Sequence, residues 1–184
     1  MVTYNMTERM VIAGFGGQGV MLMGQLLAYA ATNKGLKTLW FPSYGPETRG
    51  GTANCQVIIS DEEIYSPVFS ECETVIAMNE PSLDKFEDKL VPGGTLFVNS
   101  DLVSREVERT DIKVIKVIKV PVNKIAIELG VSRVANMVML GSYLKEANVF
   151  ADKDIIDVLK KMFGEGKAHL IEVNEKAIAE GRNF

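Results

Sequence analysis

Met10-Val11-Ile12-Ala13 is an apolar run that ends in glycines, which reads as a buried strand. From Val20 to Lys34, the residues Leu22, Leu26, Leu27 and Ala30 recur at helical spacing, and Gly35 supplies a stop signal. Leu36 to Phe41 is a second strand candidate, closed by Pro42. The opening segment therefore reads strand, glycine turn, helix, strand. That is a βαβ unit, for which a right-handed crossover is expected.

Ser43 to Gly51 is a polar, glycine-rich loop, and Ala53 to Ser60 is again β-rich, turned by Asp61-Glu62-Glu63. Ile64-Tyr65 reads as a short returning strand, so this stretch predicts a hairpin set antiparallel to the main sheet. Glu73 to Met78 is a further buried strand, Pro81 to Lys89 a short helix with proline near its first turn, and Pro92-Gly93-Gly94 a turn before the strand Thr95 to Val98. Ile112 to Val120 is strongly β-branched, but Lys113, Lys116 and Lys119 recur every three residues, which fits neither strand alternation nor a helix; a local duplication of Val-Ile-Lys is one reading. Asn123 to Gly130, Val134 to Ala147, Asp152 to Phe163 and Ala168 to Glu180 read as helices. Strands alternating with helices predict an α/β fold, a three-layer Rossmann-like domain with a mostly parallel sheet and one antiparallel hairpin. No linker interrupts the pattern, so residues 1–184 are read as a single domain.

Composition narrows the function classes. The chain has 184 residues, 47% of them hydrophobic, enough for a sizeable core without staples. Its net charge of −4 argues against nucleic acid as a partner, because phosphate backbones select basic faces. No apolar run approaches the roughly 20 residues of a membrane helix, and Met1 to Arg9 is polar and lacks a signal-peptide core. The cysteines, Cys55 and Cys72, lack the close spacing of an iron–sulfur or zinc site, and their low number fits a reducing cytoplasm.

The strongest local motif is Gly14-Phe15-Gly16-Gly17-Gln18-Gly19, a GxGxxG between a predicted strand and a predicted helix. Glycines there permit a tight turn and close ligand approach, and the N–H groups of the helix start suit a phosphate. A nicotinamide or flavin dinucleotide site would want Asp or Glu about 20 residues further on to hold the ribose. That region is Leu39-Trp40-Phe41-Pro42-Ser43, without a carboxylate, which counts against an independent NAD(P)-dependent oxidoreductase. No Lys-Ser or Lys-Thr follows the loop, so the pattern of ATP-hydrolysing loops is missing as well. A phosphate-bearing ligand other than a dinucleotide remains, as does a loop whose glycines serve only helix–sheet packing.

A second loop, Ser43-Tyr44-Gly45-Pro46-Glu47-Thr48-Arg49-Gly50-Gly51, follows the second predicted strand. Carboxyl ends of parallel strands border the ligand crevice, so the two glycine loops are expected side by side. Arg49 is suited to clamp an anion, or to pair with Glu47 and merely order the loop; Tyr44 offers a stacking face and a hydroxyl. No nucleophile–base pair stands out. His169, the sole histidine, lies far from both loops in sequence and reads as a surface or packing residue. Cys55 reads as a core residue, and Cys72 lies between Glu71 and Glu73, which disfavour a thiolate.

Taken in order, these segments resemble a known family. The glycine motif at 14–19, Tyr44 through Gly51, Ile58-Ile59-Ser60-Asp61 through Ser66-Pro67, Val75 through Asn79, Pro92 through Leu96, and Asn136-Met137 with Gly141 resemble the gamma subunits of 2-oxoacid:ferredoxin oxidoreductases. The resemblance implies a subunit of an enzyme that oxidatively decarboxylates a 2-oxoacid, transfers the acyl group to coenzyme A and reduces ferredoxin. It implies thiamine diphosphate and iron–sulfur clusters on partner subunits, with alpha and beta chains and a ferredoxin-like delta chain as the candidate partners. The isolated chain is then expected to be inactive, and 2-oxoglutarate is the substrate the separate gamma chain suggests. Coenzyme A is the ligand implied for this subunit, with Gly14, Gly16, Gly17, Gln18, Gly19, Tyr44, Arg49, Gly50, Gly51 and Asn136 as the binding set. A purely structural subunit that touches no ligand is the rival reading.

Overall fold

The computed structural model describes residues 6–45, 51–108 and 115–184. Six strands form one sheet in the order β2-β3-β1-β4-β5-β6: β1 is Thr7–Phe15, β2 Lys37–Tyr44, β3 Thr52–Ser60, β4 Cys72–Ala77, β5 Leu90–Asn99 and β6 Lys116–Val120. The helices are α1 (Val20–Asn33), α2 (Glu80–Phe86), α3 (Val122–Glu128), α4 (Ala135–Ala147), α5 (Asp152–Phe163) and α6 (Ile171–Gly181). The apolar run at 10–13 became a central strand because both of its faces are covered. Met10 and Ile12 join the core shared with α1, α4, α5 and α6, whereas Val11 and Ala13 join the core shared with α2. The result is a mixed α/β fold with helices on both faces of a mostly parallel sheet.

The antiparallel element differs from the expected one. β3 pairs antiparallel with β2 on one side and with β1 on the other, so the hairpin is β2–β3 and its connection is the second glycine loop. Ile64 and Tyr65 form no strand; Ile64 tucks against the second core while Tyr65 stands 94% exposed. Two residues with one apolar side chain could not match the eight-residue partner that β2 offers to β3. The βαβ unit of β1, α1 and β2 is present, but β3 is inserted between its two strands.

Pro92-Gly93-Gly94 lies inside β5 rather than in a turn before it. From Cys72↔Leu90 to Thr74↔Thr95, β4 advances two residues and β5 advances five, so the surplus bulges out, helped by Gly93 at φ 84°. Of the lysine repeat, Lys113 lies outside the described residues, but Lys116 and Lys119 have an explanation. β6 is an edge strand whose Ile118 and Val120 are buried, while Lys116 pairs with Glu146 of α4 and Lys119 with Glu106. At the other edge, β2 carries Pro42. Gly45 N–H bonds the Thr52 carbonyl, so alternate residues back along β2 face β3 and Pro42 faces the open side.

α4 and α6 pack with their backbones unusually close. A Cβ on Gly141 would overlap the Ile178 carbonyl oxygen, and one on Gly181 would overlap that of Val138. Asp154 accepts from the Ala151 N–H at the start of α5 and from Lys34 at the end of α1, at 2.8 and 2.9 Å. That contact fixes α5 beside α1.

Candidate functional site

β1 and β2 run parallel, so the loops that leave their carboxyl ends emerge at the same edge of the sheet. The two loops touch: Gly16 N–H donates to the Gly51 carbonyl at 2.9 Å. Gly17 at φ 100° and Gly19 at φ 75° hold the left-handed backbone that turns the chain from β1 into α1, a conformation that suits glycine. Gly19 is also the residue preceding α1, so the helix starts without a side-chain cap, and its first turn carries no acid. The first amides of a helix have no partner within it and mark its positive end. Here they open toward a pocket of about 420 Å³. Gly16, Gly17 and Gly19 form its floor, Met21 and Leu22 one wall, and Tyr44 with Thr52 the other. Tyr44 remains 63% exposed at the mouth. Such a site can hold an anion on backbone N–H groups and an apolar or amide segment along its wall. Tyr44 is the single ionisable side chain among the described lining residues, so the pocket offers no acid–base pair.

Gly14, Gln18 and Asn136 of the expected binding set stand behind the loop. The Gln18 side chain turns inward: Oε1 accepts from Phe15 N–H at 2.6 Å and Asn79 Nδ2 at 2.9 Å, and Nε2 donates to the Met78 carbonyl at 3.1 Å. Gly14 lacks a side chain where Gln18 needs the room, since a Cβ there would lie 2.7 Å from Oε1. Asn136, buried in the first turn of α4, donates from Nδ2 to the Gly19 carbonyl at 3.3 Å, and any side chain on Gly19 would collide with it. Arg49 and Gly50 lie outside the described residues.

Met21, Leu22 and Thr52 were not named as site residues from the sequence. Thr52 faces Phe15 in the β1–β3 register, a neighbour that only the correct placement of β3 would have revealed. Cys55 and Cys72 are free and buried in the cores on opposite faces of the sheet, so they cannot share a cluster. Burial, the larger cause at both, pushes each thiol up to about 12; at Cys72 the neighbouring Glu73 adds to the shift. His169 is exposed, in the 3-10 segment Glu165–Leu170. Among the described residues no cluster of His, Cys, Asp and Glu could hold a metal ion, and no helix is long and apolar enough to cross a membrane.

The family described as pyruvate ferredoxin/flavodoxin oxidoreductase matches residues 9–184. The chain belongs to that family. It is 38% identical over 176 residues to ketoisovalerate oxidoreductase subunit VorA of Methanothermobacter thermautotrophicus; the match takes in 96% of this chain but 36% of VorA, so the chain spans about a third of that relative. It is 36% identical over 183 residues to 2-oxoglutarate synthase subunit KorC of Methanothermobacter marburgensis, covering 97% of both proteins. Among solved structures, the 2-oxoglutarate:ferredoxin oxidoreductase of Magnetococcus marinus, with 2-oxoglutarate, coenzyme A and succinyl-CoA bound, superposes with a TM-score of 0.84 at 26% identity, over 96% of this chain and 30% of that one. The gamma-type resemblance seen in the ordered motifs of this oxidoreductase family is thus matched by whole-chain similarity.

Proposed function

We propose that the chain is the gamma subunit of a heteromeric 2-oxoacid:ferredoxin oxidoreductase and that its glycine-loop pocket holds coenzyme A. The observation that carries this reading is the uncapped start of α1, framed by Gly16, Gly17 and Gly19 and opening onto a pocket walled by Tyr44. Coenzyme A matches that chemistry: its phosphates suit the helix-start amides and its pantetheine arm suits the Met21–Leu22 wall. Arg49, in the loop that joins β2 to β3, supplies the positive charge. The subunit contributes positioning, which brings the thiol to an acyl intermediate formed on thiamine diphosphate in the alpha and beta chains. The two cysteines do not fit an iron–sulfur cluster, and electron transfer to ferredoxin is assigned to partner chains, including a ferredoxin-like delta subunit. The likeness to KorC, a 2-oxoglutarate synthase subunit, is the ground for proposing 2-oxoglutarate as the substrate of the complex, with a cytoplasmic location fitting the two free thiols.

In a complex reconstituted with its alpha and beta chains, Arg49→Ala should raise KM for coenzyme A by about tenfold, the scale of one charge-assisted contact, while kcat with saturating coenzyme A stays near wild type. An unchanged KM would remove Arg49 from the site. Parallel assays with 2-oxoglutarate, ketoisovalerate and pyruvate identify the substrate.

A scaffold reading is favoured by one observation, the exposed rings of Phe41 and Tyr44 on the two faces of the edge strand β2, each of which suits a subunit interface. A structure of the assembled complex decides between them: Tyr44 either borders coenzyme A or is covered by another chain.

A further inference from the structure

A ligand can reach the glycine loop from two sides. One is the gap between the carboxyl ends of β1 and β4, where α1 leaves for one face of the sheet and α2 for the other; in open α/β sheets this change of side marks the usual binding crevice. The other is the flank toward β3 and β2, where the 420 Å³ pocket lies. The first gap is filled by the Gln18 carboxamide, which bonds Phe15 N–H on the β1 side and Met78 and Asn79 on the β4 side.

The groups that hold Gln18 are themselves fixed. Asn79 is 2% exposed and its Oδ1 caps α2 by accepting from Ser82 N–H at 3.0 Å. The Met78 carbonyl also accepts from Asn99 Nδ2 at 3.0 Å, and that amide donates to Asn123 Oδ1 of α3 at 2.8 Å. A line of side-chain amides therefore runs from the glycine loop across the ends of β4 and β5 to α3. Asn79 and Asn99 in this line are buried, so breaking one of their bonds leaves an unpaired polar group inside the protein.

Resting on the reading that this loop takes coenzyme A, we propose that Gln18, locked onto Met78 and Asn79, is a positioning and specificity-determining residue that shuts the β1–β4 crevice and confines the ligand's phosphate to the flank beside Tyr44. Gln18 occupies a variable place in GxGxxG, and its side chain is long enough to cross to β4. With the crevice closed, a ligand cannot lie across the sheet ends as a dinucleotide would; it is directed along α1 and β3 instead. The Phe15 N–H, taken by Gln18, is withdrawn from ligand binding, and the loop is braced on the side away from the pocket.

The reconstituted complex is assayed with Gln18→Ala, with Asn79→Ser and with both. Asn79→Ser keeps an oxygen that can cap α2 but removes the donor to Gln18 Oε1. Gln18→Ala should raise KM for coenzyme A by about tenfold, with kcat and KM for the 2-oxoacid within about twofold of wild type. Asn79→Ser should raise it by about threefold, and the double variant should be no worse than Gln18→Ala alone, because both act through one contact. An unchanged KM for coenzyme A, or equal losses in all three parameters, overturns the proposal. If Gln18→Ala does not assemble, Asn79→Ser alone carries the same two outcomes. Hydrogen exchange of residues 15–22 in the wild-type complex, with and without coenzyme A, tests the underlying reading separately. Ligand-dependent protection with unaffected variants sinks the role of Gln18 only; no protection removes coenzyme A from the loop and both proposals with it.

Discussion

Glu8 shows what a single side chain can report. It lies at the amino end of β1, away from the glycine loop, with its carboxylate accepting from Thr74 Oγ1 at 2.8 Å and Tyr143 Oη at 2.9 Å. Burial holds its pKa above the ordinary value, outweighing those two donors, and Glu73 adds to the rise. Glu73 itself goes the other way: burial would lift it, but the Arg9 guanidinium and backbone N–H, at 2.5 and 2.7 Å, hold it down. A carboxyl with a raised folded-state pKa contributes stability that is full below its unfolded value and lost as pH rises through the folded one. Glu8→Gln should therefore leave the melting temperature nearly unchanged at pH 4 and raise it at pH 7.5. Equal shifts at both pH values would show that Glu8 ionises freely in the folded chain. Nothing in the sequence marked Glu8, because its burial depends on Tyr143, distant in the chain. The glycine motif was legible because its parts are contiguous and its backbone demands are local. Gln18 and Asn136 were named as binding residues, Asn136 from a distant helix, and the structure shows both bracing the glycine loop from behind. Arg49 lies outside the described residues and stays an expectation.

At the level of elements, periodicity located α1, α4, α5 and the central strands well, since each repeats its apolar pattern over several turns or alternations. It failed where pairing decides. β3 could have turned back on Ile64 or paired with β2, and the choice follows from the longer partner rather than from any residue of β3. The close approach of α4 and α6 was equally hidden, although Gly141 and Gly181 were visible in the sequence. Gly141→Ala would drive a methyl into the Ile178 carbonyl, a contact that rigid backbone cannot relieve. The substitution should destabilise by about 2–3 kcal/mol, lowering the melting temperature by roughly 5–10 °C. A melting temperature within a degree of wild type would mean that the two helices separate more easily than their packing suggests.

On the scale of the whole molecule, the described lining of the glycine-loop pocket holds no acid–base pair, which fits the proposed positioning role. The isolated chain should show no 2-oxoacid-dependent reduction of an artificial electron acceptor, and turnover should return when alpha and beta chains are added. Activity in the isolated chain would overturn the assignment as a gamma subunit. The match to about a third of VorA fits the same division of labour, one in which this fold serves as a module of a longer enzyme or as a chain of its own.

The two outer strands bear on how such a module joins its neighbours. Pro42 has no N–H to offer on the open side of β2, and at β6 Lys116 and Lys119 are held in ion pairs with Glu146 and Glu106. A seventh strand from another polypeptide would meet a missing donor at one margin and a fringe of ion-paired side chains at the other. These features favour assembly through helices, loops and side chains, which can be separated and rejoined without unzipping any ladder. The protein is in this sense bounded laterally, protected from runaway fibre growth while still open to company on its faces.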